Sequence, residues 1–315
     1  MGGDILHDHS RSTLLKRRQL LVLSNVPKFF FALLALFLTN RQVPGQTPDV
    51  TAAREIAKTD GEFSDWSRQK GTPSAWLHYV AEEGVIFAPG PVNAKKYWAG
   101  HSSFAGVLVW QPVFAAAAYS ADLGYSAGVW ELNPGGGKST RSFGNYVTIW
   151  RKQATSRWKV AVDAGTQNAE PGESPPPVQI LPADVTAGQR PDDEARAGFT
   201  QACHEFADEA KEDCGKAVTS HAANEIRVYR DHAAPAIGLA AARILLEPDH
   251  GRVSFEEPHV TFSKAADLAC TYGTYSEERG NIAGRGSYLS IWRIDLNGDW
   301  KLVLELEKEL PSTKQ

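Results

Sequence analysis

The feature that most constrains this chain is a segment that occurs twice. Gly144 to Asp163 reads Gly-Asn-Tyr-Val-Thr-Ile-Trp-Arg, a short polar break, then Arg-Trp-Lys-Val-Ala-Val-Asp. Gly286-Ser-Tyr-Leu-Ser-Ile-Trp-Arg293 repeats it, followed after Asn297-Gly298 by Asp299-Trp-Lys-Leu-Val-Leu-Glu305. A lone Ile-Trp-Arg would mean nothing, but two aromatic anchors at fixed spacing before the same alternating aliphatics do not recur by chance. The chain therefore reads as a tandem duplication. Each copy has the β-branched and aromatic content of two strands joined by a turn.

At 315 residues, with 42% hydrophobic and 22% charged residues, the chain has the composition of globular protein and length for about two domains. The formal net charge is −4. The first 45 residues are basic, so the remainder is more acidic still, which argues against nucleic acid as a partner. Basic residues through Lys28, the apolar run Phe29 to Leu38 and then Val43-Pro-Gly45 read as an export signal, residues 1–45, too short to span a bilayer. An uncleaved N-terminal anchor is the alternative. The protein is thus expected to be periplasmic or extracellular, with no membrane contact once the signal is removed.

Cys203, Cys214 and Cys270 all lie in the second copy. Cys203 and Cys214 would stand about 16 Å apart along one continuous helix, beyond disulfide reach. A bridge would need Cys270 or a helix broken before Cys214; buried free thiols are the other reading. No Cys-x-x-Cys pair or metal-ligand spacing appears, so neither metal nor cofactor is expected.

In chain order, Val50 to Gln69 reads as an amphipathic helix with Ile56, Phe63 and Trp66 on one side and Thr51 as its cap. A second short helix follows Pro73, then a Glu82-Glu-Gly84 turn, a strand Val85 to Phe87, and a third helix Val92 to His101. Strands are expected near 107–120, 124–132, 143–152 and 158–164. Residues 167–192, rich in Pro, Gly and acidic residues, read as a linker between domains at 50–166 and 193–310. The second copy repeats the plan, with helices near 192–213, 215–223 and 236–245, a strand at Ile226 to Tyr229, and strands near 252–263, 268–277, 285–294 and 300–307. Pro134-Gly-Gly-Gly-Lys138 lacks phosphate-loop spacing and reads as a hairpin connection.

Ala121-Asp-Leu-Gly-Tyr-Ser-Ala-Gly128, Tyr146-Val-Thr-Ile-Trp-Arg151 and Trp158-Lys-Val-Ala-Val-Asp163 resemble the SnoaL-like branch of the nuclear-transport-factor-2-like superfamily, close to the domain of unknown function 4440. The resemblance covers about 52–166 and 197–308. It implies an α+β fold: two tandem cone-shaped α+β barrels, each with three N-terminal helices against a curved, mostly antiparallel sheet. It also implies a pocket at the wide end of each cone, in a superfamily of isomerases, cyclases, dehydratases, hydrolases and pure binding domains.

Strand alternation separates Tyr146, Thr148 and Trp150 from Val147, Ile149 and Arg151, and Trp158, Val160 and Val162 from Lys159, Ala161 and Asp163. Which face looks inward depends on cross-strand register. Asp163 is the candidate general base; solvation or pairing with Lys or Arg is the plainer alternative. Candidate ligand contacts are Trp76, Tyr79, Trp98, Trp110, Trp130, Tyr146 and Trp150 in the first copy and Tyr229, Arg230, Tyr288, Trp292 and Glu305 in the second. Asp231 and His232 beside Arg230 read as a surface loop. The function these residues suggest is the binding of a small, partly apolar molecule. A weak isomerase, dehydratase or hydrolase using Asp163, or a structural pair, are the alternatives. The two domains would pair through their sheet faces, within the chain or as a homodimer, the linker raising effective concentration.

Overall fold

The computed structural model describes residues 49–135, 140–183, 192–247 and 250–311. The segment read as an export signal lies outside them, as does most of the 134–138 loop. Among the described residues no helix is long and apolar enough to cross a membrane.

The first half begins with α1 (Thr51–Lys70), α2 (Thr72–Tyr79) and β1 (Val80–Phe87), continues through β2 (Pro91–Asn93) and α3 (Ala94–Gly100), and ends in four long strands: β3 (Val107–Ala117), β4 (Leu123–Asn133), β5 (Ser142–Lys152) and β6 (Trp158–Asn168). The start of α1 is held by Asp49, whose carboxylate accepts the Thr51 N–H at 2.8 Å; Thr51 does not cap it as its sequence position suggested. The Glu82-Glu83-Gly84 segment, expected to turn, is carried inside β1 as an irregularity, and β1 then pairs parallel with β6. A Cβ at Gly84 would lie 2.8 Å from the Val160 carbonyl, so glycine is what lets the two backbones approach.

Past β6 the chain is not a free linker throughout. Gln179–Ile180 forms β7, which joins the sheet edge parallel to β3, giving the order β2-β1-β6-β5-β4-β3-β7. The second half then supplies α4 (Asp192–Ala210), α5 (Cys214–His221), β8 (Ala222–Tyr229), β9 (Ala236–Ile237), α6 (Leu239–Leu246), β10 (Arg252–Phe255), β11 (His259–Phe262), β12 (Leu268–Arg279), β13 (Ile282–Ile294) and β14 (Trp300–Glu309). The strand expected over 252–263 is split at Glu256–Pro258, where a proline cannot donate to the β12 ladder. Ala236–Ile237 pairs with β8 as a strand, so the helix expected from Ala236 starts at Leu239.

Each half is thus an α+β unit of three helices and one sheet, antiparallel except at a parallel joint: β1 on β6, and β8 on β14. Register repeats with it. Trp130 faces Gly144 across the first sheet as Tyr275 faces Gly286 across the second. In both places the ring lies over the glycine, where a Cβ would come within 2.6 Å of Trp130 and 2.2 Å of Tyr275.

Three apolar clusters hold these layers. One lies between the first sheet and its helices, built on Ile56, Phe63, Trp76 and Trp150. Another does the same in the second half with Phe199, Phe206, Trp292 and Trp300. The third is shared by the two sheets: Tyr125, Val147, Ile149, Val162 and Ala164 pack with Leu268, Leu289, Ile291, Leu304 and Leu306. Cys214 and Cys270 are buried and Cys203 is partly buried.

Candidate functional site

What places Asp163 is a single extra residue. Ile149 pairs with Val162 and Trp150 with Val160, so Ala161 has no partner and β6 carries a bulge there. Alternation therefore changes phase. Trp158 and Val160 face the first helical core, Val162 and Ala164 face the other sheet, and Asp163 comes round to the inner side opposite Thr148. Strict alternation would have put Asp163 on the opposite side from Trp158 and Val160. The same slip occurs at Val303 in β14, turning Glu305 inward opposite Ser290.

Asp163 lines a cavity of about 280 Å³ bounded by Phe63, Trp76, Phe87, Trp98, Trp110, Trp130, Tyr146 and Thr148, among others. Of the first-copy candidates, Trp76, Trp98, Trp110, Trp130 and Tyr146 meet there with Asp163. Trp150 is fully buried beneath them and donates to the Ser126 hydroxyl at 2.8 Å. Tyr79 stacks on Phe63 and faces an outer groove beside His78 and Lys159.

The Thr148 hydroxyl donates to Asp163 Oδ2, leaving Oδ1 without a protein partner among the described residues. Asp163 is half-buried and makes no ion pair among the described residues. Burial pushes the carboxyl up to about 8, the Thr148 bond working against the shift and the nearby Asp60 adding to it.

Asp60 is the residue that sequence reading missed. It is completely buried on α1, accepting the Tyr146 hydroxyl at 2.7 Å and the Trp110 indole N–H at 2.7 Å. Burial raises its carboxyl to about 6, with Tyr146, Ser126 and Trp110 opposing the shift. Burial, then the Asp60 charge, raises the Tyr146 phenol well above its ordinary value. Asp60 thus fixes two walls of the cavity, and its carboxyl is raised less than that of Asp163. A signal was present: Asp60 falls on the same helical stripe as Ile56 and Phe63, an acid where the pattern calls for an apolar residue.

The second half is built differently at the matching positions. Arg230 holds Glu305 in a buried ion pair and lies 3.3 Å from Glu307. Burial pushes Glu305 well up, the Arg230 charge pulling against it. Arg230, Tyr275 and Glu307 border a separate cavity of about 230 Å³, while Tyr288 and Trp292 are buried in the helical core and Tyr229 in the layer between the sheets. Asp231 and His232 are tied to the first half rather than free on the surface: Asp231 Oδ1 accepts the Gln167 N–H at 2.7 Å, and the His232 N–H donates to the Gln167 carbonyl at 2.8 Å.

No family model and no curated protein matches the chain. Solved structures similar to it include an NTF2-like protein with a cystatin-like fold from Novosphingobium aromaticivorans, at 16% identity over 38% of this chain and 84% of that one, TM-score 0.32. A ketosteroid isomerase-like protein from Erwinia carotovora atroseptica is similar at 12% identity over 38% and 98%, TM-score 0.32. An NTF2-like protein of unknown function from Pseudomonas putida is similar at 16% identity over 39% and 98%, TM-score 0.32.

Proposed function

We propose that the first half binds a small, partly apolar molecule in its aromatic cavity and that Asp163 exchanges a proton with it. One observation carries this reading: a carboxyl whose second oxygen has no protein partner among the described residues lines an aromatic cavity, with no cation in ion-pair contact with it. Such a group is an acid below about pH 8 and a general base above it. Asp60 keeps Tyr146 and Trp110 in place, so the proton is transferred in a fixed geometry. The second half serves as the scaffold against which the first is paired, with its own inward carboxyl neutralised by Arg230. Export of the protein, suggested by its first 45 residues, would place this site outside the cytoplasm.

The enolisable bicyclic ketone 2-tetralone tests both parts. Its binding should quench emission from the cavity tryptophans. Incorporation of deuterium at its α-carbon, followed by NMR, should rise to a plateau above about pH 8 and disappear in Asp163→Asn. No quenching would remove the binding reading; exchange that persists in the variant would remove the proton transfer.

A further inference from the structure

One charged group in the first cavity comes from the second half. Among the described residues bordering it, Lys308 is the sole cation and Asp163 the sole acid. Lys308 lies on β14, paired with Ser287 of β13, and crosses to the first sheet, where its ammonium donates to the Gly165 carbonyl at 3.2 Å. Asp231 Oδ1 lies 3.6 Å away and also accepts the Gln167 N–H. An ammonium has three N–H groups, and these two partners leave one free among the described residues.

The surroundings keep this group at the rim. The Ser287 hydroxyl reaches the Pro89 carbonyl at 3.4 Å, and Leu310 approaches Gly90, so β13 and β14 abut the loop that follows Phe87 and Ala88 of the cavity wall. Gly165 keeps the wall open: it pairs with Tyr146, and its counterpart facing Tyr288 in the second half is Glu307. A carboxylate at position 165 would fill this space and neutralise Lys308. Here the corner holds a backbone carbonyl and a cation instead.

Resting on the binding reading above, we propose that the ligand is a small aromatic carboxylate, its ring held among Trp76, Trp98, Trp110 and Trp130 and its carboxylate bound by Lys308 from the other half. A cationic ligand would meet Lys308 at the rim and a carboxyl without charge inside. A neutral ligand would offer the ammonium no opposite charge. An anion satisfies it with a charge-assisted hydrogen bond. The duplication then has a chemical role: the second copy completes the site of the first.

Isothermal titration of the full chain at pH 6 with benzoate and 2-naphthoate, against benzamide and 2-naphthamide, tests this. The acids should bind on the order of tenfold more tightly than the amides, the difference a charge-assisted hydrogen bond makes. Lys308→Gln should abolish that preference, with the acids losing far more affinity than the amides. Asp231→Asn, which removes the competing charge but keeps an oxygen for the Gln167 N–H, should widen it. Equal binding of acids and amides, or a preference that survives Lys308→Gln, would overturn the proposal and leave the cavity reading standing. Equal weakening of acids and amides by Lys308→Gln would also overturn it, reducing Lys308 to a structural contact. Failure of all four probes to bind while 2-tetralone still quenches would overturn this proposal alone.

Discussion

Asp163→Asn should stabilise the protein, and the gain should depend on pH in one direction only. In the unfolded chain an aspartate titrates near 3.8, whereas burial in the cavity holds Asp163 protonated up to about 8. Between those values the unfolded state has lost a proton that the folded state keeps, so folding stability falls as pH rises. Four units at 1.36 kcal/mol each set an upper limit of about 5 kcal/mol on this penalty, fully developed above pH 8 and absent below pH 4. Asparagine has nearly the same shape and still accepts from Thr148, but it never ionises. Asp60 titrates in both proteins and cancels to first order. Urea unfolding at pH 4.5, 6.5 and 9, with equal m-values, should therefore show a stability gap in favour of the variant that widens with pH and then levels off. A gap that does not change with pH would refute the reasoning. So would one that runs the other way, since that is the signature of a carboxylate stabilised by a partner.

Other substitutions probe the scaffold. Arg230→Met leaves Glu305 and Glu307 buried without their cation and should cost about 3 to 5 kcal/mol in chemical denaturation, with much of the loss recovered by adding Glu305→Gln. A variant no less stable than the parent would show that the ion pair contributes nothing. Gly144→Ala places a Cβ 1.8 Å from the Thr166 carbonyl and 2.6 Å from the Trp130 ring, so β5 and β6 must separate locally. An unfolding loss of about 3 kcal/mol or more is expected, together with a changed tryptophan emission spectrum.

Much of the architecture was legible because it is written in local chemistry. The repeated Gly-x-Tyr-x-x-Ile-Trp-Arg segment marks two sheets with one register, and the glycines within it are the places where Trp130 and Tyr275 lie flat on the strand. Proline, glycine and the 3.6-residue pattern located α1 and α2 to within a residue or two. Boundaries failed where pairing overrode propensity: Gly84 is carried within β1 because the β6 backbone needs the room, and Ala236–Ile237 extends because β8 offers it partners.

The site itself shows the division most clearly. The sequence by itself determined that aromatic side chains and Asp163 would lie on neighbouring strands of one domain, since side-chain type and strand period are local properties. Only the tertiary structure decided that Asp163 faces those aromatics, because the unpaired Ala161 shifts the phase of β6 and a bulge is visible only against the partner strand. Only it brought Asp60 under Tyr146 and Lys308 to the rim of the first cavity. Those contacts join residues remote in sequence, and their energies come from burial and charge at places that no stretch of chain contains by itself.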